Sequence, residues 1–316
     1  MDVTASFLNG GLEDEVYMKQ PEGFEVKGKE YLVCKTNEKI AKLKESIAER
    51  FQVKDMGELK YILGLQVIQE DGKVYVHWSA YLYTASIIKK YGMENCKPVE
   101  TPVDLSSKLV NAMEDSELFN KEEYQAVNSQ SLLYLSSATR SDITFAVNNV
   151  AKFSANPTNE HWTAVKRIFL YLKGTVNYGL LYSENASPDC VGFSDADWTG
   201  GLNGRKSGSG YTCQIHDDAV SWRSKKQICV ALSTAEAEYV ALSVAVQAAL
   251  WMRQLLTDLS VNDIDEQVTI YEDNESAIAM SKNPQFHGRS KHVDIMYHLY
   301  ETSRKENINC ALLSNR

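Results

Sequence analysis

The sequence predicts a mixed α/β protein in which a sheet is flanked by helices, and two patterns along the chain indicate it. Apolar residues recur at steps of three or four in 36–51 and in 124–175, which is typical of amphipathic helices. From residue 178 onward, four strand-like segments precede a long helix, a strand, helical segments and a last apolar stretch. Strands followed by helix–strand–helix–strand predict one mixed sheet with helices packed on it.

Composition limits the classes of function. The chain has 316 residues, of which 44% are hydrophobic and 24% are charged, as in a globular protein of about two domains. Its longest apolar stretch, residues 240–252, is shorter than the ~18 residues that span a bilayer, and no secretory signal opens the chain. We therefore expect an intracellular protein with reduced cysteines and no membrane partner. Because the net charge is −9, a nucleic acid would have to bind through local basic patches and metal ions.

The first predicted elements are a helix and a hairpin. The helix begins at Thr36 and ends near Phe51. Segments 59–69 and 73–78 are strand-like, and Glu70-Asp71-Gly72 between them is a hairpin-type turn. We therefore predict two antiparallel strands here.

A helix that ends at Gly92 and a linker follow the hairpin. Residues 94–123 contain two prolines, many acids and little periodicity, and we predict that they form the linker. Two or three helical segments should then occupy 124–175. The last has one apolar stripe from Trp162 to Leu172, and Gly174 ends it.

Carboxylates end two predicted strands of the second half. The predicted strand CVGFSDA, residues 190–196, alternates through Val191 and Phe193, and Asp195 stands where an apolar residue is due. Asp273 ends a second strand, VTIYED. Acids at strand ends are most often simply solvated, so either one alone is weak evidence for a site.

A third acid lies at the start of the long helix, where two glutamates compete. Ser233 and Glu236 have the S-x-x-E spacing of a capping box, which gives Glu236 a structural role. Glu238 instead shares a helix face with Ala241, Leu242, Ala245 and Ala249, the side that should meet the sheet. A glutamate on that face needs a cation, so Glu238 is the stronger ligand candidate.

Oxygen ligands from two strand ends and a helix start suit Mg²⁺ or Mn²⁺. Two such ions about 4 Å apart can activate a water and stabilise the leaving oxygen of a phosphodiester. The spacing alone leaves open whether these acids bind a metal. Basic side chains could contact phosphates or be solvated charges; the candidates are Lys166, Arg167, Arg205, Lys206, Lys225 and Lys226.

Ordered segments of the chain resemble the pol polyprotein of copia-type long-terminal-repeat retrotransposons. Those similar to its reverse transcriptase and the helical region after it are MDVTASFLNGGLEDEVYMKQPEGF, FQVKDMGELKYILGLQV, ATRSDITFAV and HWTAVKRIFLYLKGT. Those similar to its ribonuclease H domain are FSDADWTG, GRKSGSGYT, SWRSKKQICVALSTAEAEYVAL, EDNESAI and GRSKHVDIMYH. The resemblance covers nearly the whole chain in the family's order.

The resemblance implies three regions. Residues 1–105 would be a reverse-transcriptase palm remnant and 106–177 a helical thumb- or connection-like region. Residues 178–316 would be an RNase H-like domain, a mixed sheet flanked by helices, truncated at its C-terminus.

The family also implies roles for individual residues. Asp195, Glu238 and Asp273 match its ribonuclease H metal ligands, and Asp2 matches the first metal-binding aspartate of the polymerase. The implied activity is Mg²⁺- or Mn²⁺-dependent cleavage of RNA in RNA–DNA hybrids, with hybrid or other nucleic acid as partner. The implied location is the cytoplasm, a virus-like particle or the nucleus.

Departures from the family's pattern weaken the expectation of reverse transcription and that of RNA–DNA hybrid cleavage. No Tyr-x-Asp-Asp motif occurs, a long block is missing between Lys35 and Thr36, and Met1 falls inside a motif. We therefore expect reverse transcription to be lost. The family's fourth RNase H ligand has no counterpart after the last apolar segment, and Asp294 is a weak substitute candidate. Residual hybrid cleavage and a non-catalytic remnant that at most binds nucleic acid both stay open.

Overall fold

The computed structural model describes residues 2–3, 53–54, 59–78, 88–104, 109–113, 115–183, 185–186, 189–197, 206–258, 268–282 and 308–313. Contacts divide the chain into two units, 1–60 with 250–267 and 61–249 with 268–316. In the first unit, β1 (Asp2–Val3) pairs antiparallel with β2 (Val53–Lys54). The helix predicted for 36–51 lies outside the described residues. The predicted boundaries after residues 105 and 177 stay predictions.

A four-stranded antiparallel sheet contains the predicted hairpin. Its strands, in spatial order, are β3 (Tyr61–Ile62), β4 (Leu65–Glu70), β5 (Lys73–Trp78) and β6 (Leu180–Ser183). Asp71 and Gly72 have φ angles of 49° and 71°, which suit the tight turn between β4 and β5, so the predicted hairpin is confirmed. The prediction of one continuous strand over 59–69 is wrong, because the segment forms two strands. Leu63 and Gly64, with φ angles of 49° and 83°, reverse the chain between β3 and β4.

Strand β6 pairs with β5, not with the sheet predicted for the rest of the second half. Val74 lies opposite Tyr182, and Tyr75 lies opposite Leu181. The alternation that predicts a strand is local, whereas its partner is chosen by contacts between distant segments. The sequence therefore predicted this strand and missed its sheet.

Four α-helices form the middle of the second unit, where two or three helical segments were predicted for 124–175, and the first begins inside the predicted linker. They are α1 (Lys121–Val127), α2 (Leu133–Ala138), α3 (Thr144–Ala151) and α4 (Asn159–Gly174), and a π-helical turn, Asn128–Leu132, joins α1 to α2. Tyr124, Ile143 and Val165 are fully buried in their shared core. Thr158 begins α4 in a capping box with His161.

The predicted linker packs along α4. Lys173 Nζ donates to the carbonyl oxygen of Cys96 at 2.9 Å, and Arg167 Nη2 donates to Thr101 Oγ1 at 3.0 Å. Val99 and Val103 contact the helical core. An irregular segment can bury single apolar residues without any periodic pattern, which is why the sequence did not show this packing.

A five-stranded mixed sheet forms the rest of the second unit. Its strands are β7 (Val191–Asp197), β8 (Gly208–Ile215), β9 (Asp218–Lys226), β10 (Val268–Glu272) and β11 (Ile308–Leu312), in the spatial order β11-β10-β7-β8-β9. Strands β7, β8 and β9 are antiparallel, whereas β10 is parallel to both β7 and β11. The predicted fold class, a mixed sheet flanked by helices, is confirmed.

Among the residues described after the antiparallel strands, two helices occur, α5 (Thr234–Asp258) and α6 (Glu275–Lys282). Ala237, Ala241 and Ala245 of α5 are fully buried, and the first two cluster with Ala196 of β7. By length and composition α5 could cross a membrane, but half of that stretch is buried within the fold, as in a core helix. The small side chains let the helix approach the sheet closely.

We expect Gly192→Ala to destabilise the protein by about 1–2 kcal/mol, because its Cβ would lie 3.1 Å from Ile270 Cγ1. Urea unfolding would measure the loss. Gly210→Ala in β8 is the matched control, since its Cβ would have no neighbour closer than 3.7 Å. Equal losses in the two variants would contradict this account of the β7–β10 contact.

Candidate metal centre

Neighbouring parallel strands bring two aspartates to one edge of the five-stranded sheet. In the register of β7 and β10, Gly192 lies opposite Ile270 and Phe193 lies opposite Tyr271. Continuing that register by two residues places Asp273 beside Asp195. The parallel direction of the strands therefore makes their acidic ends meet.

The start of α5 positions the third carboxylate. The backbone N–H of Glu236 donates to Ser233 Oγ at 3.1 Å, as the capping box predicts, and the Glu236 carboxylate accepts from the N–H of Leu232 at 2.8 Å. This cap fixes the first turn of the helix. Glu238 then lies on the face that packs on the sheet, and only 8% of its surface is exposed.

The three predicted carboxylates come together. One oxygen of each of Asp195, Glu238 and Asp273 lies within 4.8 Å of the other two. The two aspartates are exposed, whereas Glu238 Oε2 is buried and accepts no hydrogen bond from the described residues. A buried carboxylate oxygen without a donor is costly, and a divalent cation would compensate it. The residues present therefore fit a Mg²⁺ or Mn²⁺ ion.

Burial and mutual repulsion shift the carboxyl groups of Glu238 and Asp195 toward their protonated forms. Burial is the main cause that raises the pKa of Glu238 to about 8, and the charges of Glu272, Asp195 and Asp273 contribute in the same direction. Burial and then Asp273 and Asp197 also raise the pKa of Asp195. A bound cation would reverse these shifts, because it favours the ionised carboxylates.

Glu272, which the sequence patterns did not single out, is fully buried beside the cluster. Ser194 Oγ donates to its Oε2 at 2.5 Å, and the N–H of Asn274 donates to its Oε1 at 3.2 Å. Burial raises the pKa of Glu272 to about 7; the hydrogen bonds from Ser194 and Asn274 lower it, and the adjacent Asp273 carboxyl raises it. Alternation could have found it, because Val268, Ile270 and Glu272 share the buried face of β10.

Three of the predicted basic residues lie on or beside the antiparallel strands. In the strand register, Asp197 pairs with Gly208 and Gly208 pairs with Lys226, so Lys226 lies at the same end of the sheet as the acids. Lys225 is exposed beside it, and Lys206 shortly precedes β8. Phosphate contact by these residues stays a prediction.

The other predicted residues lie elsewhere. Arg167 donates to Thr101, and both Arg167 and Lys166 line a cavity of about 550 Å³ between α3, α4 and the segment 91–104. Contact of either with nucleic acid also stays a prediction. Arg205 and Asp294 lie outside the described residues, as does the side chain of Asp2.

Lys152 at the end of α3 is a second residue that the sequence patterns did not single out. Desolvation lowers the pKa of Lys152, the nearby Lys226 lowers it further, and Asp197 opposes the shift. This amine therefore lies close to the acidic end of the sheet. No local sequence pattern signals it, because the packing of α3 on β9 brings it there.

Comparison with known proteins gives matches along most of the chain. A family model described as reverse transcriptase (RNA-dependent DNA polymerase) matches residues 31–105. The Pol polyprotein of tobacco transposon TNT 1-94 is 33% identical over 94% of this chain and 27% of its own length. That of transposon RE1 from Arabidopsis thaliana is 31% identical over 94% of this chain and 24% of its own length. The chain thus spans about a quarter of these relatives.

Solved structures also match part of the chain. RNase H1 from the archaeon Halobacterium salinarum NRC-1 is 11% identical, with 40% of this chain and 86% of that chain covered and a TM-score of 0.27.

Proposed function

Because this chain belongs to the copia-type retrotransposon Pol polyprotein family, we propose that it cleaves the RNA strand of RNA–DNA hybrids with Mg²⁺ or Mn²⁺. The observation that supports this function best is the convergence of Asp195, Glu238 and Asp273, whose oxygens lie within 4.8 Å of one another. The buried, unpartnered Oε2 of Glu238 adds to it, since an ion would supply the missing partner.

In this proposal the three carboxylates hold the metal. When bound, the metal lowers the pKa of an attacking water and stabilises the leaving oxygen of the phosphodiester. Glu238 anchors the site from the buried side, and the exposed Asp195 and Asp273 leave the outer side open to a phosphate. Lys225 and Lys226, at the same end of the sheet, would contact neighbouring phosphates.

We propose no polymerase activity for these residues. The sequence contains no Tyr-x-Asp-Asp motif, so the carboxylates that would complete a polymerase site with Asp2 are missing. The hybrid would be met in the cytoplasm, a virus-like particle or the nucleus, where a retrotransposon is copied.

Cleavage of an end-labelled RNA–DNA hybrid tests the proposal. We expect RNA cleavage with Mn²⁺ or Mg²⁺ and none with EDTA, and Asp195→Asn should lower the rate at least roughly a hundredfold, because it removes a ligand. Asp217→Asn is the matched control, since it makes the same change at an exposed turn of the same sheet.

Equal rates for wild type and Asp195→Asn would contradict the proposal. Salt-dependent hybrid binding without any metal-dependent turnover would support the non-catalytic alternative instead.

A further inference from the structure

Glu272 is an acidic residue that the proposed metal site does not use. Its side chain is fully buried at the end of β10, and it is among the largest fully buried side chains of the described residues. Buried glutamates are rare unless a specific interaction holds them. Glu272 is held by hydrogen bonds. Among the described residues, no cationic side chain forms an ion pair with it.

Both oxygens of Glu272 bind groups next to the predicted ligands. Ser194, whose hydroxyl donates to Oε2 at 2.5 Å, directly precedes Asp195 in β7. Asn274, whose N–H donates to Oε1 at 3.2 Å, directly follows Asp273. One carboxylate therefore connects the strand that bears one aspartate to the turn that bears the other.

The turn held by Glu272 also starts a helix. Asn274 Oδ1 accepts from the N–H of Ala277 at 3.0 Å and so caps α6. The backbone of Asp273 is thus fixed on one side by β10 and on the other by a helix cap that Glu272 contacts.

We infer that Glu272 is a positioning residue, which holds Asp195 and Asp273 at metal-binding distance before any ion arrives. This inference rests on the proposed function. Like-charged carboxylates repel one another, so without a cation the strand ends would be driven apart. The hydrogen bonds of Glu272 oppose that separation, and partners of this kind orient metal ligands in many proteins.

Glu272 acts through its neighbours and is not a fourth ligand. It is not among the three carboxylates whose oxygens converge within 4.8 Å, and each of its two oxygens accepts a hydrogen bond from a residue next to a ligand. Its removal should therefore weaken metal binding without removing a ligand.

Mn²⁺ binding to the full chain, measured by electron paramagnetic resonance of free Mn²⁺, tests this inference without any cleavage assay. In Glu272→Leu, the side chain accepts neither hydrogen bond, and we expect the Mn²⁺ dissociation constant to rise roughly 10- to 100-fold. Ser194→Ala keeps the carboxylate charge and removes one donor, and should raise it roughly three- to tenfold. Glu275→Gln, at an exposed position three residues away, is the control and should bind as wild type does.

The rate of hybrid cleavage, measured as a function of Mn²⁺ concentration, gives a second test. We expect the half-saturating Mn²⁺ concentration to rise in both variants, with kcat restored when Mn²⁺ is saturating. Variants that melt earlier in EDTA but keep the wild-type Mn²⁺ dissociation constant would overturn the positioning role. Wild type that binds Mn²⁺ and cleaves no hybrid would instead remove the proposed function, and weaker Mn²⁺ binding by the variants would still support positioning.

Discussion

Glu238→Gln is expected to stabilise the metal-free protein by on the order of 2 kcal/mol at about pH 9. Burial raises the pKa of Glu238 from 4.5 to about 8, so above pH 8 the folded protein holds a charge that the unfolded chain solvates better. Each increase of one in the folded-state pKa corresponds to about 1.4 kcal/mol of destabilisation once the group is ionised. Solvent screening at the exposed aspartates reduces the summed destabilisation by about half. Glutamine removes that charge and its repulsion by three neighbouring carboxylates.

The raised pKa of Glu238 also predicts how stability depends on pH. Between about pH 4.5 and pH 8 the folded state binds more protons than the unfolded state, so the free energy of unfolding of the metal-free wild type falls as pH rises. In Glu238→Gln this fall should be shallower. Below about pH 4.5 the two proteins should differ least, because Glu238 is neutral in both states.

Urea unfolding in EDTA across this pH range would measure both effects. Glu236→Gln is the matched control, since it lies two residues away in the helix cap and its amide oxygen can still accept from Leu232. Adding Mn²⁺ should raise the melting temperature of wild type and not that of Glu238→Gln. A variant that is less stable than wild type at pH 9 would contradict the repulsion that we infer.

Arg140→Met should destabilise the second unit by about 3–5 kcal/mol, because Arg140 is a nearly buried ion-pair partner. Its guanidinium donates to both carboxylate oxygens of Asp142, at 3.0 Å and 2.8 Å, and to the carbonyl oxygen of Thr175 at 3.0 Å. Tyr171 also donates to Asp142, at 2.8 Å. These hydrogen bonds connect the turn before α3, which bears Arg140 and Asp142, to Thr175 at the end of α4.

Thermal and urea unfolding would measure this loss, with the exposed Arg223→Met as the control of equal charge change. Without Arg140, the Asp142 carboxylate loses its cation and keeps the Tyr171 hydroxyl as a donor, and the Thr175 carbonyl keeps the N–H of Tyr178. A loss no larger than that of Arg223→Met would show that the ion pair contributes little.

Local sequence patterns were sufficient wherever one segment determines its own conformation. Asp71 and Gly72 predict the β4–β5 turn, and Ser233 with Glu236 marks the start of α5. Gly92, which was predicted to end a helix, has a φ angle of 65° and closely follows the helical residues 88–90. Helix periodicity also separated Glu238 from Glu236, and the structure buries the former. These signals depend only on residues within about one turn of one another.

Contacts between distant segments could not be predicted from the sequence. No local pattern indicated that β6 pairs with β5, that residues before α1 pack on α4, or that Lys152 lies near Lys226. Each depends on which surfaces meet after folding, and many pairings satisfy the same local pattern.

The acidic cluster shows both kinds of information. Sequence alone indicated that Asp195 lies near the end of one strand, that Asp273 lies at the end of another, and that Glu238 faces inward; in the structure Asp195 lies two residues before the end of β7 and Asp273 directly follows β10. Only the tertiary structure decided that parallel pairing of β7 and β10 sets the aspartates side by side, and that Glu272 connects Ser194 to Asn274. The physical reason is that strand and helix periodicity fix the direction of a side chain, whereas its distance from another is fixed by how the strands and helices pack.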